Sequence, residues 1–266
     1  MLAHMKAVWA YRYFWTSLVK MDLMTRYRRS VLGIGWSLLH PLAMTAVFCV
    51  VFSTLMNPSS EPGAWQKYAQ ETLAAMAIWG FLRDTVLQGC HALIRSEAYI
   101  RQVPLPYGIY PLRTMLANLV HFLITLAVVV VLVAVMQGSL TPLYNLWAVL
   151  PGVLLAAVFG WGVATIAAFA TVYFHDVSHI MELGAQALFF LTPIIYSRKV
   201  MEARGLGWLA QVNPVVPFID ILRDPIVDGT FPDATVYGYA VALTVGSVGL
   251  AFGVIAWLQK KVIFHM

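Results

Sequence analysis

The sequence predicts an all-α integral membrane protein with six transmembrane helices and an N-terminal amphipathic interfacial helix. Of the 266 residues, 61% are apolar and 11% are charged, whereas soluble domains have roughly 45–50% apolar and about 25% charged residues. The mean hydropathy is +0.77. Long charge-free runs recur along the chain, which contains only 2 Cys. These features exclude a water-soluble enzyme, a disordered chain and a disulfide scaffold.

Residues 1–30 are predicted to form a cytosolic helix that lies in the membrane interface. They lack the uninterrupted apolar run and the small-residue cleavage site of a signal peptide. Arg12 and Asp22 interrupt the apolar face of this helix. The face consists of Val8, Tyr11, Trp15, Leu18, Val19 and Leu23. A basic cluster separates the helix from the first span: Arg26, Arg28 and Arg29.

Six apolar segments satisfy the length that a membrane crossing requires, which is about 20 residues for about 30 Å of hydrocarbon. The charge-free run 114–175 is too long for one crossing, so we expect it to turn back at 137–142, where Gly and Pro break helices. The fifth segment is only just long enough. The predicted spans are roughly 31–56, 70–93, 114–136, 143–174, 180–197 and 235–258.

The charge distribution orients the spans, because Lys and Arg remain preferentially in the cytoplasm. Most of the 17 Lys and Arg residues fall on one side if the N-terminus is cytosolic, which predicts that both termini are cytosolic. The net charge of +5 then reflects orientation and anionic lipid, and no nucleic-acid partner is expected. The chain is thus expected to be a single transmembrane domain over 1–266, with a bundle at 31–258 and a cytosolic tail at 259–266.

Arg83 and Asp84 lie within the second predicted span. A charge there costs at least about 2.5–3.5 kcal/mol, so each side chain should face protein, water or a partner. Because neighbours at i, i+1 do not share a helix face, the two need not pair with each other. Lining an aqueous path and pairing with another helix are both open readings.

The motifs of known chemistry are missing from the sequence. It has no G-x-x-x-x-G-K-[ST], H-E-x-x-H or G-x-S-x-G pattern, so no catalytic residue is predicted. His175 and His179 are spaced i, i+4 beside Asp176 and could present two imidazoles to a metal. Two ligands in a water-facing turn favour solvated histidines instead, so no metal site is predicted.

Three motifs carry a resemblance to a known family. They are residues 26–41, residues 173–177 followed by 191–196, and residues 213–217 with Arg223. Together they resemble the permease subunits of bacterial polysaccharide ABC exporters, which move O-antigen, teichoic acid or capsule chains. The resemblance implies ATP-driven export of a lipid-linked, O-antigen-like polysaccharide from the cytoplasmic to the periplasmic side of the inner membrane.

The resemblance also implies the partners. The permease is expected to form a homodimer with two copies of a cytosolic ATP-binding subunit, which holds the ATP and Mg, so the permease needs no cofactor. The loop between the second and third spans is then a coupling helix that contacts this ATPase through Ser96, Glu97, Tyr99 and Arg101. The expected substrate entrance is the basic cluster Arg26, Arg28 and Arg29, whose guanidinium groups suit a lipid phosphate.

Two further sites follow from the same resemblance. A cytosolic gate turn is expected at Tyr173, His175 and Asp176. Short re-entrant helices before the last span are expected to line the periplasmic exit. The expected residues of the pathway and its periplasmic gate are Pro193, Tyr196, Asn213, Pro214 and Arg223, together with Arg83 and Asp84, which are included because they are charged within a span.

The glycines and aromatic residues have physical readings of their own. Gly33 and Gly35 predict close helix approach, and Pro41 predicts a kink in the first span. Aromatic residues make up 13% of the chain. Most are expected in interface belts and packing, and a minority could stack on sugars.

Two rival functions remain open at this point. One is a membrane-embedded glycan or lipid enzyme that uses Arg83, Asp84, His175 and Asp176, although these are expected at opposite ends of the bundle. The other is an ABC permease of the same type that moves drugs or small lipids.

Overall fold

The computed structural model describes residues 9–26, 32–56, 64–102, 105–196 and 198–264, which form helices and turns and include no strand. The α-helices are α1 (Arg12–Arg26), α2 (Trp36–Met56), α3 (Ala64–Cys90), α4 (Glu97–Gln102), α5 (Ile109–Gln137), α6 (Thr141–Tyr144), α7 (Leu146–Tyr173), α8 (Val177–Leu191), α9 (Arg198–Ala203), α10 (Gly207–Val212), α11 (Val216–Val227) and α12 (Ala234–Leu258). Short 3-10 helices lie at Gly33–Gly35, Ile94–Ser96 and Val262–Phe264.

Helices α5, α7 and α12 are long and apolar enough to cross a membrane. They confirm the third and sixth predicted apolar segments as continuous helices, and the fourth from residue 146 onward, after a break at Asn145. The predicted turn between α5 and α7 is also confirmed. Gly138 ends α5 in the left-handed conformation with φ 61°, which suits glycine because it lacks a Cβ. Pro142 lies in the first turn of α6, where its missing N–H costs no hydrogen bond.

Helices α2, α3 and α8 correspond to the first, second and fifth predicted spans, and their crossing of the membrane stays a prediction. Helix α2 continues through Pro41 in its second turn. Helix α3 starts six residues before the predicted span and contains charged side chains. Helix α8 has 15 residues and a length of about 22 Å. It stops before Pro193 because the residue before proline, Thr192, is extended, with φ −96° and ψ 137°.

Helix α7 lies at the centre of the bundle, in contact with α3, α5, α11 and α12. Small residues permit these close approaches. A Cβ added to Gly89 would lie 2.6 Å from the Cβ of Ala164, and one on Gly162 would lie 2.7 Å from the Oγ of Ser247. Glycine is therefore required where α3 and α12 cross α7.

Close helix approach at Gly33 and Gly35 is not seen among the described residues, and residues 27–31, which connect α1 to this segment, lie outside them. No described atom lies within 4 Å of a Cβ built on Gly33, and the nearest to one on Gly35 is the Cβ of Leu32 at 3.9 Å. Gly33 instead has φ 50°, a left-handed conformation that other residues rarely adopt. Its role is to turn the backbone into α2.

The two ends of the bundle are distinguished by a smaller hydrophobic cluster at one end and by two side-chain hydrogen bonds at the other. The smaller cluster joins α4, the start of α5 and the C-terminal parts of α7 and α12 around Tyr110 and Phe169, and we call this the α4 end. At the opposite α6 end, Gln137 and Asn145 donate hydrogen bonds to the carbonyls of Val227 and Pro225, at 2.8 and 3.0 Å. These bonds satisfy carbonyls that the last turn of α11 leaves without helical partners.

Helix α1 packs against α5 through its apolar face, with Leu18 buried. Of the predicted face, Trp15, Val19 and Leu23 are half-buried and Tyr11 is exposed, while Val8 lies outside the described residues. Asp22 interrupts this face because it pairs with Arg113 of α5 through both carboxylate oxygens. A bidentate pair of this kind fixes the orientation of α1 as well as its position.

Candidate functional site: a polar groove in the helical bundle

A groove of about 760 Å³ lies between α2, α3, α5 and α8. Its lining mixes polar side chains and aromatic rings. The main polar groups are His40, Arg83, Asp84, Asn118, His121, Glu182 and Gln186. The aromatic rings are Trp36, Trp79, Phe81, Phe122, Phe189 and Phe190. Such a lining can donate and accept hydrogen bonds and can stack on a ring face.

Arg83 and Asp84 face this groove and pair with each other, with 3.1 Å between Nη1 and Oδ1. The sequence neither required nor excluded this pairing. Both side chains remain partly exposed, at 44% and 36%. An exposed pair contributes at most about 1 kcal/mol to stability, so its value lies in the polar surface that it presents to the groove.

Glu182 and Gln186 were not predicted as site residues. They lie one helical turn apart on α8 and bring an exposed carboxylate and an amide to the groove. One signal was available in the sequence. Glu182 is a carboxylate inside the otherwise apolar segment 180–197, where an unexplained charge indicates a functional surface.

The expected coupling segment lies at the α4 end. Ser96 is buried, and the ring of Tyr99 packs edge-on against Phe14 of α1 with 6.0 Å between centroids. Arg101 donates a 2.8 Å hydrogen bond to Glu97, and both side chains are exposed. Ser96 and Tyr99 thus face the protein, and the surface open to a partner is formed by Glu97 and Arg101.

The expected gate turn joins α7 to α8 at the α4 end. Its His175 and Asp176 are exposed, and Tyr173 packs on the smaller cluster. His91, which follows α3, interacts electrostatically with His175 and His179. Within the described ranges these histidines belong to no group of three ligands that could hold a metal.

The distance expected between the gate turn and Arg83 is also corrected. His91 follows Arg83 by eight residues, or about 12 Å along a helix, so the turn and the Arg83–Asp84 pair do not lie at opposite ends of the bundle. His175 and Asp176 nevertheless do not line the groove that contains Arg83 and Asp84.

Four of the residues expected at the exit, Pro193, Tyr196, Asn213 and Pro214, lie in the segments that follow α8 and precede α11, and hydrogen bonds join these segments. Asn213 is buried and donates a 2.8 Å hydrogen bond to the hydroxyl of Thr192, next to Pro193. Its side-chain oxygen accepts a 2.9 Å bond from the N–H of Val215, just after Pro214. The hydroxyl of Tyr196 donates to the carbonyl of Phe190. Asn213 therefore fixes the break after α8 against the start of α11.

An ion network extends this region along α11. Asp220 is only 4% exposed and accepts hydrogen bonds from Arg198 at 3.1 Å and Arg223 at 2.9 Å. Burial raises the pKa of Asp220 against the opposing effect of the two arginines. Burial likewise raises the pKa of Asp224 to about 6, although Arg223 favours its charged form. The sequence identified Arg223 but not Arg198, Asp220 or Asp224.

The expected substrate entrance falls outside the part of the chain that can be described. Arg28 and Arg29 lie in the undescribed segment 27–31. Arg26 is the last residue of α1, and its side chain is not described either.

The helices and the groove define a helical membrane protein with a polar lining inside its bundle. The chain belongs to the ABC-2 type transporter family, whose sequence model matches residues 13–227.

Three relatives support the resemblance read from the motifs. Two are O-antigen export system permease proteins RfbA of Klebsiella pneumoniae. One is 25% identical over 79% of this chain and 78% of its own length, and the other is 23% identical over 78% of both chains. An RfbA permease of Myxococcus xanthus is 24% identical over 88% of both chains. The resemblance to a polysaccharide ABC exporter permease is thereby confirmed.

Proposed function

We propose that this chain is the transmembrane subunit of an ATP-driven exporter that moves a lipid-linked, O-antigen-like polysaccharide out of the cytoplasm. The observation that carries the proposal is the groove between α2, α3, α5 and α8, because it offers aromatic faces and polar groups inside an ABC-2 bundle. The relatives that are O-antigen export permeases match the chain over most of its length and favour this substrate class.

The proposed pathway lies between two copies of the chain in the bacterial inner membrane. Six spans, with both termini in the cytosol, leave little room for a glycan inside one copy. Two facing grooves would enclose one conduit, with the α4 end in the cytosol and the α6 end in the periplasm. In this arrangement α9, α10 and α11 are the re-entrant helices at the exit.

The proposed coupling to ATP uses the exposed side of α4. Two cytosolic ATP-binding subunits would dock near Glu97 and Arg101 and bind ATP and Mg themselves. The chain has no phosphate-binding loop, so its part is to bind and guide the substrate while catalysing no bond chemistry.

The test measures phosphate release by the purified chain alone and by its complex with the cognate ATPase. We expect robust turnover only in the complex, together with loss of surface glycan in cells that lack the permease. Robust ATP hydrolysis by the isolated chain would contradict the assignment. Normal surface glycan alongside lost export of a lipid or dye would favour the rival small-molecule permease.

A further inference from the structure

We propose that the groove selects uncharged glycans against polyanionic ones, and that Glu182 is the residue that determines this specificity. The inference rests on the proposed function and goes further, because it separates neutral polymers from acidic capsules and phosphate-rich teichoic acids. It follows from the placement and charge of the side chains that line the groove.

Glu182 presents an uncompensated carboxylate to the groove. It lies in the second turn of α8, and its side chain is exposed. The other carboxylate in the lining, Asp84, has Arg83 as an ion-pair partner at 3.1 Å. No described Lys, Arg or His forms an ion pair with Glu182. The carboxylate is thus available to a molecule that occupies the groove.

The fixed charges of the lining sum to a negative value. Among the carboxylates and guanidinium groups of the described lining, Arg83 offsets Asp84, and Glu182 remains. When two grooves face each other, as the proposed dimer requires, the excess negative charge doubles. Enclosure of the two facing grooves would exclude water, and repulsion between like charges is stronger in such a place than in bulk solvent. Each acidic sugar of a polyanion would therefore be disfavoured.

A neutral sugar meets favourable groups at the same positions. Its hydroxyls can donate hydrogen bonds to Glu182, and hydrogen bonds to a charged acceptor are roughly twice as strong as neutral ones. The amide of Gln186, one turn further along α8, can both donate and accept. The rings of Trp36 and Phe190 supply flat apolar surfaces for the sugar faces.

The experiment measures binding of two probes to the purified permease–ATPase complex in nanodiscs. The probes are a neutral mannose oligosaccharide and an oligogalacturonate of equal length. Binding of each probe is measured by quenching of tryptophan fluorescence and by thermophoresis. The variants are Glu182→Gln and Glu182→Lys. Asp233→Asn is the matched control, because Asp233 is an exposed carboxylate just before α12 and outside the groove.

We expect the wild type and the control to bind the neutral probe at least tenfold more tightly than the acidic probe. Glu182→Gln should reduce this preference several-fold, and Glu182→Lys should abolish or reverse it. An unchanged preference in both Glu182 variants would overturn the inference while leaving the exporter assignment intact. Absence of binding of either probe, together with unaffected surface glycan in cells without the permease, would overturn the proposed function itself.

Discussion

Single carboxylates carry much of the organisation at both ends of the bundle. In the sequence, Asp22 only interrupted an apolar helix face, and Asp220 drew no prediction. In the structure each of them pairs with arginine. The partner of Asp22 is Arg113, far along the chain, and no local pattern in a single sequence identifies a pair at that separation. Residue roles fixed by such pairs could therefore not be predicted, whereas Arg223 and Asn213 stood out within a recognisable motif.

Asp224 leads to a prediction about pH. Its pKa is raised from 3.8 to about 6 by burial, so the folded protein holds this proton more tightly than the unfolded chain does. The stabilisation that comes from protonated Asp224 is fully present below about pH 4 and is lost as the pH rises through about 6. Asp224→Asn places a neutral side chain at this position at every pH, so the loss of stability above pH 6 should not occur. We therefore expect the variant to have a higher midpoint of thermal unfolding than the wild type at pH 7.

The measurement is thermal unfolding of the detergent-solubilised protein between pH 4 and pH 7. The midpoints of wild type and Asp224→Asn should converge near pH 4 and separate by a few degrees at pH 7, since each kcal/mol corresponds to roughly 2–4 °C. Asp233→Asn, an exposed change just before α12, controls for loss of a carboxylate. A constant difference between wild type and Asp224→Asn across the range would contradict the prediction.

At the level of helices, α7 packs closely against its neighbours because its contact residues are small. Gly162 lies against α12, and Ala164 lies against Gly89 of α3. Replacing Gly162 by Ala places a methyl group 2.7 Å from the Oγ and 2.9 Å from the backbone carbonyl carbon of Ser247, so α12 must move away. We expect Gly162→Ala to destabilise the protein by about 1–3 kcal/mol, the usual cost of overpacking.

The check on this prediction compares Gly162→Ala with Gly246→Ala in thermal unfolding. Gly246 lies on α12, and a Cβ there would meet no described atom within 4 Å. Gly246→Ala should be neutral or stabilising, because alanine is the better helix former. Equal midpoints for the two variants would show that the contact between α7 and α12 tolerates the extra methyl group.

Helix boundaries could be predicted where the residues that set them act on their own backbone, and could not where they depend on distant parts of the chain. The turn after α5 was predicted because Gly138 and Pro142 act on their own backbone. The early end of α8 was missed by six residues, because the apolar run continues through Pro193 while the helix does not. The inward packing of Tyr99 depends on Phe14 of α1, so the sequence of α4 alone could not reveal it.

For the whole transporter, the substrate entrance gives a prediction about the arginines between α1 and α2. Lys keeps the charge of Arg but cannot form its bidentate bonds to phosphate. We expect Arg28→Lys with Arg29→Lys to insert and assemble normally while displaying much less surface glycan. Membrane level and partner-dependent ATP hydrolysis are measured as controls. Normal glycan display would assign these residues to membrane orientation alone.

The unequal helix lengths have a consequence for the surrounding lipid. Helices α5 and α7 have 29 and 28 residues, about 43 and 42 Å, whereas α8 reaches only about 22 Å. A bilayer core of about 30 Å matches neither length. The long helices are expected to tilt where they cross, and a membrane-crossing α8 would thin the lipid beside it. We therefore expect the rate of transport to depend on the acyl-chain length of the lipid, and lipids with shorter acyl chains should relieve the deformation around α8.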